Sequence, residues 1–267
     1  MPLHASPEYD AIIIGSGPNG LAAAAWLARK HWRVLVIEAA DQPGGGTRTA
    51  ELTLPGFHHD VCSAVHPTGV ASPVFRELDL EAEGLEWIHP QVPLAHPLDG
   101  GRAALLHRSL DQTAHDLGVH STAYHCLFGP LVEHAPDLYA DVFNPLRFPS
   151  HPILMARFGL RALPPASLLA RAVFRTEEAR ALFAGNAAHS ILPLEAPLTS
   201  AIGVMLQFSA HSVGWPVAKG GSRAVSQALL CILQRHGGEL VTGWRVRCLD
   251  ELPASRAVLI DTAPRHL

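Results

Sequence analysis

The chain has 267 residues, of which 48% are hydrophobic and 16% are charged, and its formal net charge is −4. This balance is typical of a globular protein with a sizeable core, and it excludes the basic surface that a nucleic-acid partner would need. The length allows one large domain or two modest ones.

The four cysteines, Cys62, Cys126, Cys231 and Cys248, form no C-x-x-C pair, so we expect buried thiols in a reducing compartment. Residues 1–10 have neither an apolar core nor basic amphipathic character, which predicts no secretion or transit signal. No apolar run approaches the ~20 residues of a membrane span. We therefore expect a cytoplasmic protein without a transmembrane segment, and we leave peripheral membrane contact and oligomeric state open.

The segment Tyr9–Thr49 organises the rest of the chain. The apolar run Asp10–Ile14 predicts a buried parallel strand, Leu21–Lys30 an alanine-rich helix and Arg33–Ile37 a second strand. Residues 15–20, between the first strand and the helix, fit the pattern G-x-G-x-x-G. Together these elements predict the strand–helix–strand start of a Rossmann-like, dinucleotide-binding α/β fold.

Each glycine of this pattern, and the acidic residue after the second strand, has a physical role. Gly15 allows the tight turn, Gly17 lets a pyrophosphate approach the backbone, and Gly20 lets the helix pack close to the strand. Glu38 follows the second strand, 18 residues after Gly20, and can accept hydrogen bonds from ribose hydroxyls. Because its charge would repel a 2′-phosphate, NADP is disfavoured. A strand–helix–strand unit whose glycine turn binds nothing is the alternative.

A second glycine-rich stretch, Gly44-Gly45-Gly46-Thr47-Arg48-Thr49, begins six residues after Glu38. In this arrangement of a Glu followed by a glycine-rich stretch, the chain resembles the flavoprotein amine-oxidase and phytoene-desaturase superfamily. The closer likeness is to its phytoene-dehydrogenase-like branch, which includes the pyridine nucleotide-disulphide oxidoreductase domain-containing protein 2 group. Four further stretches carry this likeness: Leu54-Pro55-Gly56-Phe57, His58-His59-Asp60, Ser63-Ala64-Val65-His66-Pro67 and Pro216-Val217-Ala218-Lys219-Gly220-Gly221.

The resemblance implies FAD as the cofactor and makes an ordinary NAD-dependent dehydrogenase the less favoured interpretation. The resemblance and the nucleotide motif together give these cofactor-binding positions: Gly15, Gly17, Asn19, Gly20, Glu38, Gly45, Gly46, Thr47 and Val246. In the family, the residue matching Val246 contacts the adenine through its backbone. A flavin disulfide reductase needs two close cysteines beside the flavin, and none follow the nucleotide motif here, so we do not expect disulfide chemistry.

The residues after this stretch predict short elements. Ala50–Leu54 indicates a strand that turns at Pro55-Gly56, and Ser72-Pro73 begins a helix that runs to about Leu80. Four polar residues lie between them: His58, His59, Asp60 and His66. Their spacing fits no standard metal-ligand pattern, so a polar loop near the cofactor is favoured over a metal site.

Residues 86–214 have the pattern of an α+β insertion. The predicted strands are Leu85–His89, Pro93–Pro97 and Arg102–His107, with a hairpin turn at Asp99-Gly100-Gly101. The predicted helices are 110–118 behind a capping box at Ser109, 121–134, 153–163 and 196–209. In the resembled family such an insertion caps the flavin and shapes the substrate pocket. Its apolar helices could line a lipophilic tunnel or form an ordinary core, and the core is favoured.

The stretch Trp215–Ser222 ends in a glycine pair, and Ser222 is the predicted cap of a helix that runs to Arg235. A helix start behind a glycine turn can face an anion or a carbonyl group. The resemblance makes Lys219 a candidate for stabilising negative charge on the reduced flavin. A solvated loop lysine is the equally weighted alternative.

Three further strands are predicted: Glu239–Thr242, Arg245–Leu249 and Ala257–Ile260. We expect Ala257–Ile260 in the same parallel sheet as the opening strand, and Asp261-Thr262-Ala263-Pro264 resembles the family's return to the nucleotide domain. The expected architecture is a discontinuous FAD-binding domain, 1–85 and 215–267, interrupted by a substrate or cap region, 86–214.

The resemblance covers nearly all of this chain but only about the first half of a relative, whose later segment orients the isoalloxazine. It implies an FAD-dependent oxidoreductase of desaturase or dehydrogenase type, which passes hydride from a small apolar substrate to flavin N5. The alternative is a truncated, non-catalytic dinucleotide-binding fragment. We assign no catalytic residue beyond the weak candidate Lys219, because the chain contains no carboxylate pair, G-x-S-x-G or H-E-x-x-H motif.

Overall fold

A computed structural model describes residues 8–145 and 147–263. The prediction about a leader at residues 1–7, and Pro264 of the predicted tail, lie outside the described residues. The strands are β1 (Tyr9–Ile14), β2 (Val34–Ile37), β3 (Thr49–Glu51), β4 (His58–Asp60), β5 (Trp87–Ile88), β6 (Leu94–Pro97), β7 (Ala103–Leu106), β8 (Val217–Ala218), β9 (Glu239–Val241) and β10 (Ser255–Ile260). The helices are α1 (Pro18–Arg29), α2 (Pro67–Ala71), α3 (Pro73–Leu78), α4 (Leu110–Asp116), α5 (Ser121–Glu133), α6 (Ala135–Val142), α7 (Pro152–Ala162), α8 (Ala166–Val173), α9 (Glu177–Ala187), α10 (Thr199–Ser212) and α11 (Arg223–Arg235).

The chain divides into two compact units. The first unit comprises Met1–His66, Val74–Ile88 and Val217–Leu267, and the second comprises Pro67–Pro73 and His89–Pro216. The second unit contains a short piece, Pro67–Pro73, that lies outside the insertion expected over 86–214. The limits of that insertion stay a prediction.

A four-stranded parallel sheet forms the centre of the first unit, in the order β10-β1-β2-β9. Ile12 lies between Leu35 of β2 and Val258 of β10. All four residues of β2 are buried, as a continuous apolar run predicts for an inner parallel strand. The helices α1 and α11 share a core with one face of the sheet. The predicted α/β fold with its parallel sheet is therefore confirmed.

The predicted strand Arg245–Leu249 is wrong. Within the described residues this segment joins no sheet; the amide of Trp244 donates to the carbonyl of Glu38 at 3.0 Å, and Leu249–Glu251 forms a 3₁₀ turn. The side chains of Trp244 and Val246 pack on the sheet face that α1 and α11 leave open. The apolar side chains of Trp244 and Val246, two positions apart, therefore belong to a loop that covers the sheet and not to a further strand.

Two other elements of the first unit are shorter than predicted. The strand expected over Ala50–Leu54 is β3, which pairs antiparallel with β4. The helix expected to reach Leu80 is α3, which ends at Leu78 because Asp79 adopts a φ of 55° that a helix cannot continue.

The second unit contains the hairpin of β6 and β7 and the helices α4–α10. The hairpin turns at Asp99–Gly101, as predicted. The Ser109 capping interaction is also confirmed, since its Oγ accepts a hydrogen bond from the Gln112 amide at 3.1 Å. Helix α10 begins at Thr199, three residues later than predicted, because Leu198 has a φ of 69°. The largest fully buried side chains of this core are aromatic: Tyr124, Phe128, Phe174, Phe183 and Phe208.

The prediction that the four thiols are buried is wrong. All four thiols are exposed, since each cysteine lies on the outer side of its helix or in a loop. No single helix of the described residues has both the length and the apolar character to cross a membrane. Within the same described residues, one pair of helices, α7 and α8, reaches that length and composition when taken together, and the pair is bent by 96°.

Candidate functional site

The glycine turn between β1 and α1 is too tight for side chains. Gly15 has a φ of +100°, and a Cβ at this position would lie 2.4 Å from the carbonyl oxygen of Asp261. Its amide donates to the carbonyl of Ile37 at 2.8 Å, which ties the turn to β2. A Cβ on Gly20 would lie 2.7 Å from the carbonyl oxygen of Gly15. The turn therefore requires glycine at both positions.

The carboxylate of Asp261 lies in front of the N-terminus of α1. Asp261 directly follows β10, which runs parallel to β1, so its side chain emerges at the same sheet edge as the glycine turn. Its Oδ2 accepts a hydrogen bond from the Gly20 amide at 2.8 Å and would lie 2.8 Å from a Cβ on Gly17. A negative group is stabilised here by the free N–H groups and the dipole of the helix.

Asp261 is the residue that sequence reasoning missed, because it was considered only as the end of the last strand. We expected a pyrophosphate to approach Gly17; in this structure a protein carboxylate does so. An acidic residue directly after the strand beside β1 is the signal that could have found it, because the carboxyl ends of parallel strands share one edge.

Glu38 is held by hydrogen bonds at the end of β2. Its Oε2 accepts bonds from the amide and the hydroxyl of Ser16, and its Oε1 accepts one from the Ala40 amide at 2.8 Å. Partial burial raises the pKa of Glu38, but the hydrogen bonds outweigh burial and the pKa lies below its usual value. The carboxylate is therefore charged at neutral pH and fixed in direction.

A cavity of about 720 Å³ opens beside these residues in the first unit. It brings three predicted cofactor positions together, Gly15, Glu38 and Val246. The remaining lining residues come from the strand ends and from the loop before β10: Ile14, Ile37, Ala39, Trp244, Arg245, Arg247, Cys248, Leu249, Ile260 and Thr262. The cavity thus combines apolar walls with one fixed carboxylate and two arginines.

The second glycine-rich stretch packs directly against the glycine turn. Gly45–Thr47 forms a 3₁₀ turn, and a Cβ on Gly45 would lie 2.9 Å from the Cα of Gly17. The amide of Gly44 donates to the carbonyl of Ser16 at 3.0 Å. The structure therefore places the two stretches side by side, although Gly20 and Gly45 are 25 positions apart.

The remaining predicted positions of this region differ in exposure. Asn19 is exposed in the first turn of α1. Thr47 is buried, and its hydroxyl donates to the carbonyl of Gly44 at 2.7 Å and is bonded to the hydroxyl of Ser226. A Cβ on Gly46 would make only ordinary contact with Cys62, whose Sγ is 3.8 Å away. Thr47 thus has protein partners already, whereas Asn19 is open to a ligand.

Lys219 forms an ion pair with Glu86, with Nζ 2.7 Å from Oε2, and both side chains are largely exposed. An exposed pair of this kind contributes at most about 1 kcal/mol to stability. Its place near a flavin stays a prediction.

Asp60 caps the N-terminus of α11. Its Oδ1 accepts hydrogen bonds from the Ser222 amide, at 2.8 Å, and from the Thr49 hydroxyl, at 2.6 Å. The Thr49 oxygen in turn accepts a bond from the Arg223 amide at 3.1 Å. Ser222 occupies the predicted N-cap position of α11, but its hydroxyl makes no capping bond and donates to the carbonyl of Ser63 instead.

His66 belongs to the same buried network. Its Nε2 lies 2.9 Å from the Ser222 hydroxyl, and its ring lies 5.7 Å from the ring of Trp87. Burial lowers the pKa of His66, against the influence of Asp60. Of the four polar residues predicted to line a loop, Asp60 and His66 therefore connect to the start of α11. In the described residues no group of three or more potential ligands is arranged for a metal ion.

The parallel sheet, the glycine turn and the carboxylate after β2 define a dinucleotide-binding Rossmann-like domain. The family of NAD(P)-binding Rossmann-like domains matches residues 13–78. Its match begins in the last two residues of β1 and covers the glycine turn, α1, β2 and the second glycine-rich stretch.

Several relatives of this chain have names that denote oxidoreductases. One of the subunits of the limonene dehydrogenase of Castellaniella defragrans is 32% identical over 41% of this chain and 20% of its own. Pyridine nucleotide-disulfide oxidoreductase domain-containing protein 2 of Rattus norvegicus is 38% identical over 30% of this chain and 13% of its own. The neurosporene-forming phytoene desaturase of Cereibacter sphaeroides is 48% identical over 21% and 11%. The resemblance to the amine-oxidase and phytoene-desaturase superfamily is thereby confirmed.

A solved structure of a putrescine oxidase mutant has the same fold. It is 22% identical, with a TM-score of 0.54, over 90% of this chain and 51% of that one. The chain thus spans about half of that structure, and the aligned regions span a fifth or less of the three relatives above.

Proposed function

We propose that the first unit binds FAD, and that the chain provides the nucleotide-binding part of an oxidoreductase for an apolar substrate. The observation that carries this proposal is the cavity of about 720 Å³ that joins the glycine turn to Glu38 and to the segment around Val246. Its volume and mixed lining are typical of a site for a small organic ligand.

Different parts of the cavity suit different parts of a dinucleotide. The apolar walls, with Ile14, Ile37 and Val246, suit an adenine ring. The charged Glu38 suits ribose hydroxyls and disfavours a 2′-phosphate. The free amides at the start of α1 suit the diphosphate, once the carboxylate of Asp261 has turned away from them.

FAD is favoured over NAD because the second glycine-rich stretch resembles that of the flavoprotein amine-oxidase and phytoene-desaturase superfamily, and Gly45 packs directly on the glycine turn. When bound, FAD supplies the two-electron acceptor. The residues of this chain bind and orient its adenosine half. Lys219 remains a proposed neighbour of the flavin.

Titration of the purified chain with FAD, NAD⁺ and NADP⁺ tests the binding step. Tryptophan fluorescence reports on the site because Trp244 lines the cavity. We expect FAD to saturate the protein and NADP⁺ to bind far more weakly. A folded protein that binds none of the three, or NADP⁺ as tightly as FAD, would overturn the proposal.

Anaerobic addition of apolar hydrocarbons to the FAD-loaded chain tests the oxidoreductase step. Limonene is a suitable first probe, since one relative belongs to a limonene dehydrogenase. Loss of the flavin absorption band supports substrate oxidation. Bound FAD that never bleaches with any probe would contradict turnover while leaving cofactor binding intact.

A further inference from the structure

The outward surface of α7 and α8 is apolar. Four of its side chains are at least 60% exposed: Ile153, Leu160, Leu163 and Leu168. We name these four residues the α7–α8 face. The inward side chains of Leu154, Ala166 and Ala170 are buried in the core of the second unit, and Ala162 is buried as well. Single exposed apolar residues are ordinary, but a contiguous set on one surface marks an interaction site.

The loop between α9 and α10 extends this apolar surface. The amide of Leu198 donates to the carbonyl of Leu163 at 3.0 Å, and the amide of Ser167 donates to that of Leu194 at 3.1 Å. Ile191 and Leu198 in this loop are 91% and 56% exposed, with φ values of 56° and 69°. Bulky residues rarely adopt positive φ, and such strain is concentrated at functional sites.

Positive charge accompanies the apolar residues. The segment 142–176 contains no Asp or Glu and five arginines: Arg147, Arg157, Arg161, Arg171 and Arg175. This excess is notable in a chain whose formal net charge is −4. Arg157 is exposed between Ile153 and Leu160 on the same side of α7.

None of these five arginines forms an ion pair within the described residues. Arg161 donates instead to the carbonyls of Arg157 and Cys126, at 2.7 and 3.0 Å, so its charge is not neutralised. Two carboxylates, Glu177 and Glu195, line a cleft of about 490 Å³ together with Arg171 and Arg175. Glu177 is already paired with Arg102, 2.7 Å away.

We propose that the α7–α8 face docks on the surface of an anionic lipid bilayer. Leucine and isoleucine side chains would enter the acyl region while the arginines contact lipid phosphates, which is how amphipathic helices rich in arginine bind membranes. The bent pair lies flat in this arrangement, because its inner side packs into the core of the second unit. The excess of arginine favours an anionic bilayer over a neutral apolar surface of another protein.

Flotation of the full chain with lipid vesicles tests this proposal, and it does not depend on FAD. We expect binding to vesicles that contain phosphatidylglycerol, little binding to pure phosphatidylcholine, and release in high salt. Arg157→Gln together with Arg171→Gln is expected to weaken binding on the order of tenfold. Leu160→Ser together with Leu163→Ser is expected to have an effect of about the same size.

A matched control is Leu54→Ser, which removes a leucine that is 64% exposed in the first unit. Binding should be unchanged in this variant. Equal binding to both vesicle types, no binding to either, or an equal loss in the control would overturn the proposal. It would also be overturned if the leucine variants changed the sedimentation coefficient of the lipid-free protein, because a second copy of the chain would then cover this face.

Discussion

The Oδ2 atom of Asp261 lies 2.8 Å from the amide nitrogen of Gly20, although 241 positions separate the two residues. This bond satisfies one of the free N–H groups at the start of α1. It also places a negative charge at the start of α1, where the negatively charged diphosphate of the proposed cofactor would lie. The same carboxylate therefore stabilises the protein without the cofactor and would oppose the binding of FAD at this site.

Asp261→Asn is expected to tighten FAD binding roughly tenfold, because two charges ~4 Å apart repel by about 1 kcal/mol in water and by more when partly buried. The free energy of unfolding should fall by about 0.5–1 kcal/mol, since the helix dipole loses its anion. FAD titration and urea denaturation measure the two effects. Asp99→Asn, at an exposed position of the second unit, should change neither. Weaker FAD binding by Asp261→Asn would show that the carboxylate helps to hold the cofactor.

Glu38→Gln is expected to lower the free energy of unfolding at neutral pH by about 1 kcal/mol, because hydrogen bonds to a charged acceptor are lost. Burial raises the pKa of Glu38, but the bonds from Ser16 and Ala40 outweigh it and the folded pKa is lowered. Such a group stabilises the fold above its unfolded pKa, and this contribution is lost as the pH falls through the folded pKa. The difference between variant and parent should therefore disappear in acid.

Urea denaturation over a series of pH values measures this difference, with the exposed Glu51→Gln as the control. A difference that stays constant down to acid pH would contradict the assigned charge state of Glu38. FAD affinity should also fall in Glu38→Gln, by more than in the control, if the carboxylate accepts ribose hydroxyls.

Gly15→Ala is expected to abolish FAD binding and to destabilise the first unit by more than about 2 kcal/mol. A positive φ alone costs an alanine roughly 1–2 kcal/mol. The added methyl group would also meet the Asp261 carbonyl oxygen, 2.4 Å away, so the backbone must shift. Gly56→Ala is the control, because Gly56 has a φ of +85° and nothing within 4 Å of the added Cβ. Thermal unfolding should separate the two variants, and equal losses would contradict the tight turn.

His211 is expected to make the second unit sensitive to acid. Burial lowers the pKa of His211 from 6.5 to about 4, and its Nε2 accepts a hydrogen bond from the Tyr124 hydroxyl at 2.8 Å. Between these two pH values the unfolded chain binds a proton that the folded chain does not. The free energy of unfolding should therefore fall as the pH is lowered from 6.5 towards 4, by roughly 3 kcal/mol at most.

His211→Gln should remove this part of the acid sensitivity, whatever it does to stability at neutral pH. Urea denaturation followed by circular dichroism at several pH values measures the slope. His115→Gln is the matched control, since the side chain of His115 is 83% exposed. An unchanged slope in His211→Gln would mean that another group causes the acid sensitivity.

The parts of the fold that sequence reasoning found are those fixed by neighbours in the chain. The apolar run of β1, the glycine turn and α1 lie within residues 9–29. Glu38 follows β2 directly and needs no distant partner to be recognised. Local backbone requirements and periodicity suffice for such elements.

The parts that it missed depend on residues far apart in the chain. Ser222 occupies the N-cap of α11, but the carboxylate that accepts its amide belongs to Asp60, 162 positions away. The loop from Trp244 to Val246 covers the sheet because Ile12, Leu35 and Ile37 leave an apolar face open. Neither relationship has a signal within a short window of sequence.

The order of strands in the parallel sheet has a consequence for how the chain folds during its synthesis. β1 pairs with β10, so one edge of β1 has no partner until Ser255–Ile260 has left the ribosome. During that interval the nascent polypeptide exposes an unpaired apolar edge, which is prone to aggregation. We therefore expect newly made chains to depend on chaperones until translation has passed β10.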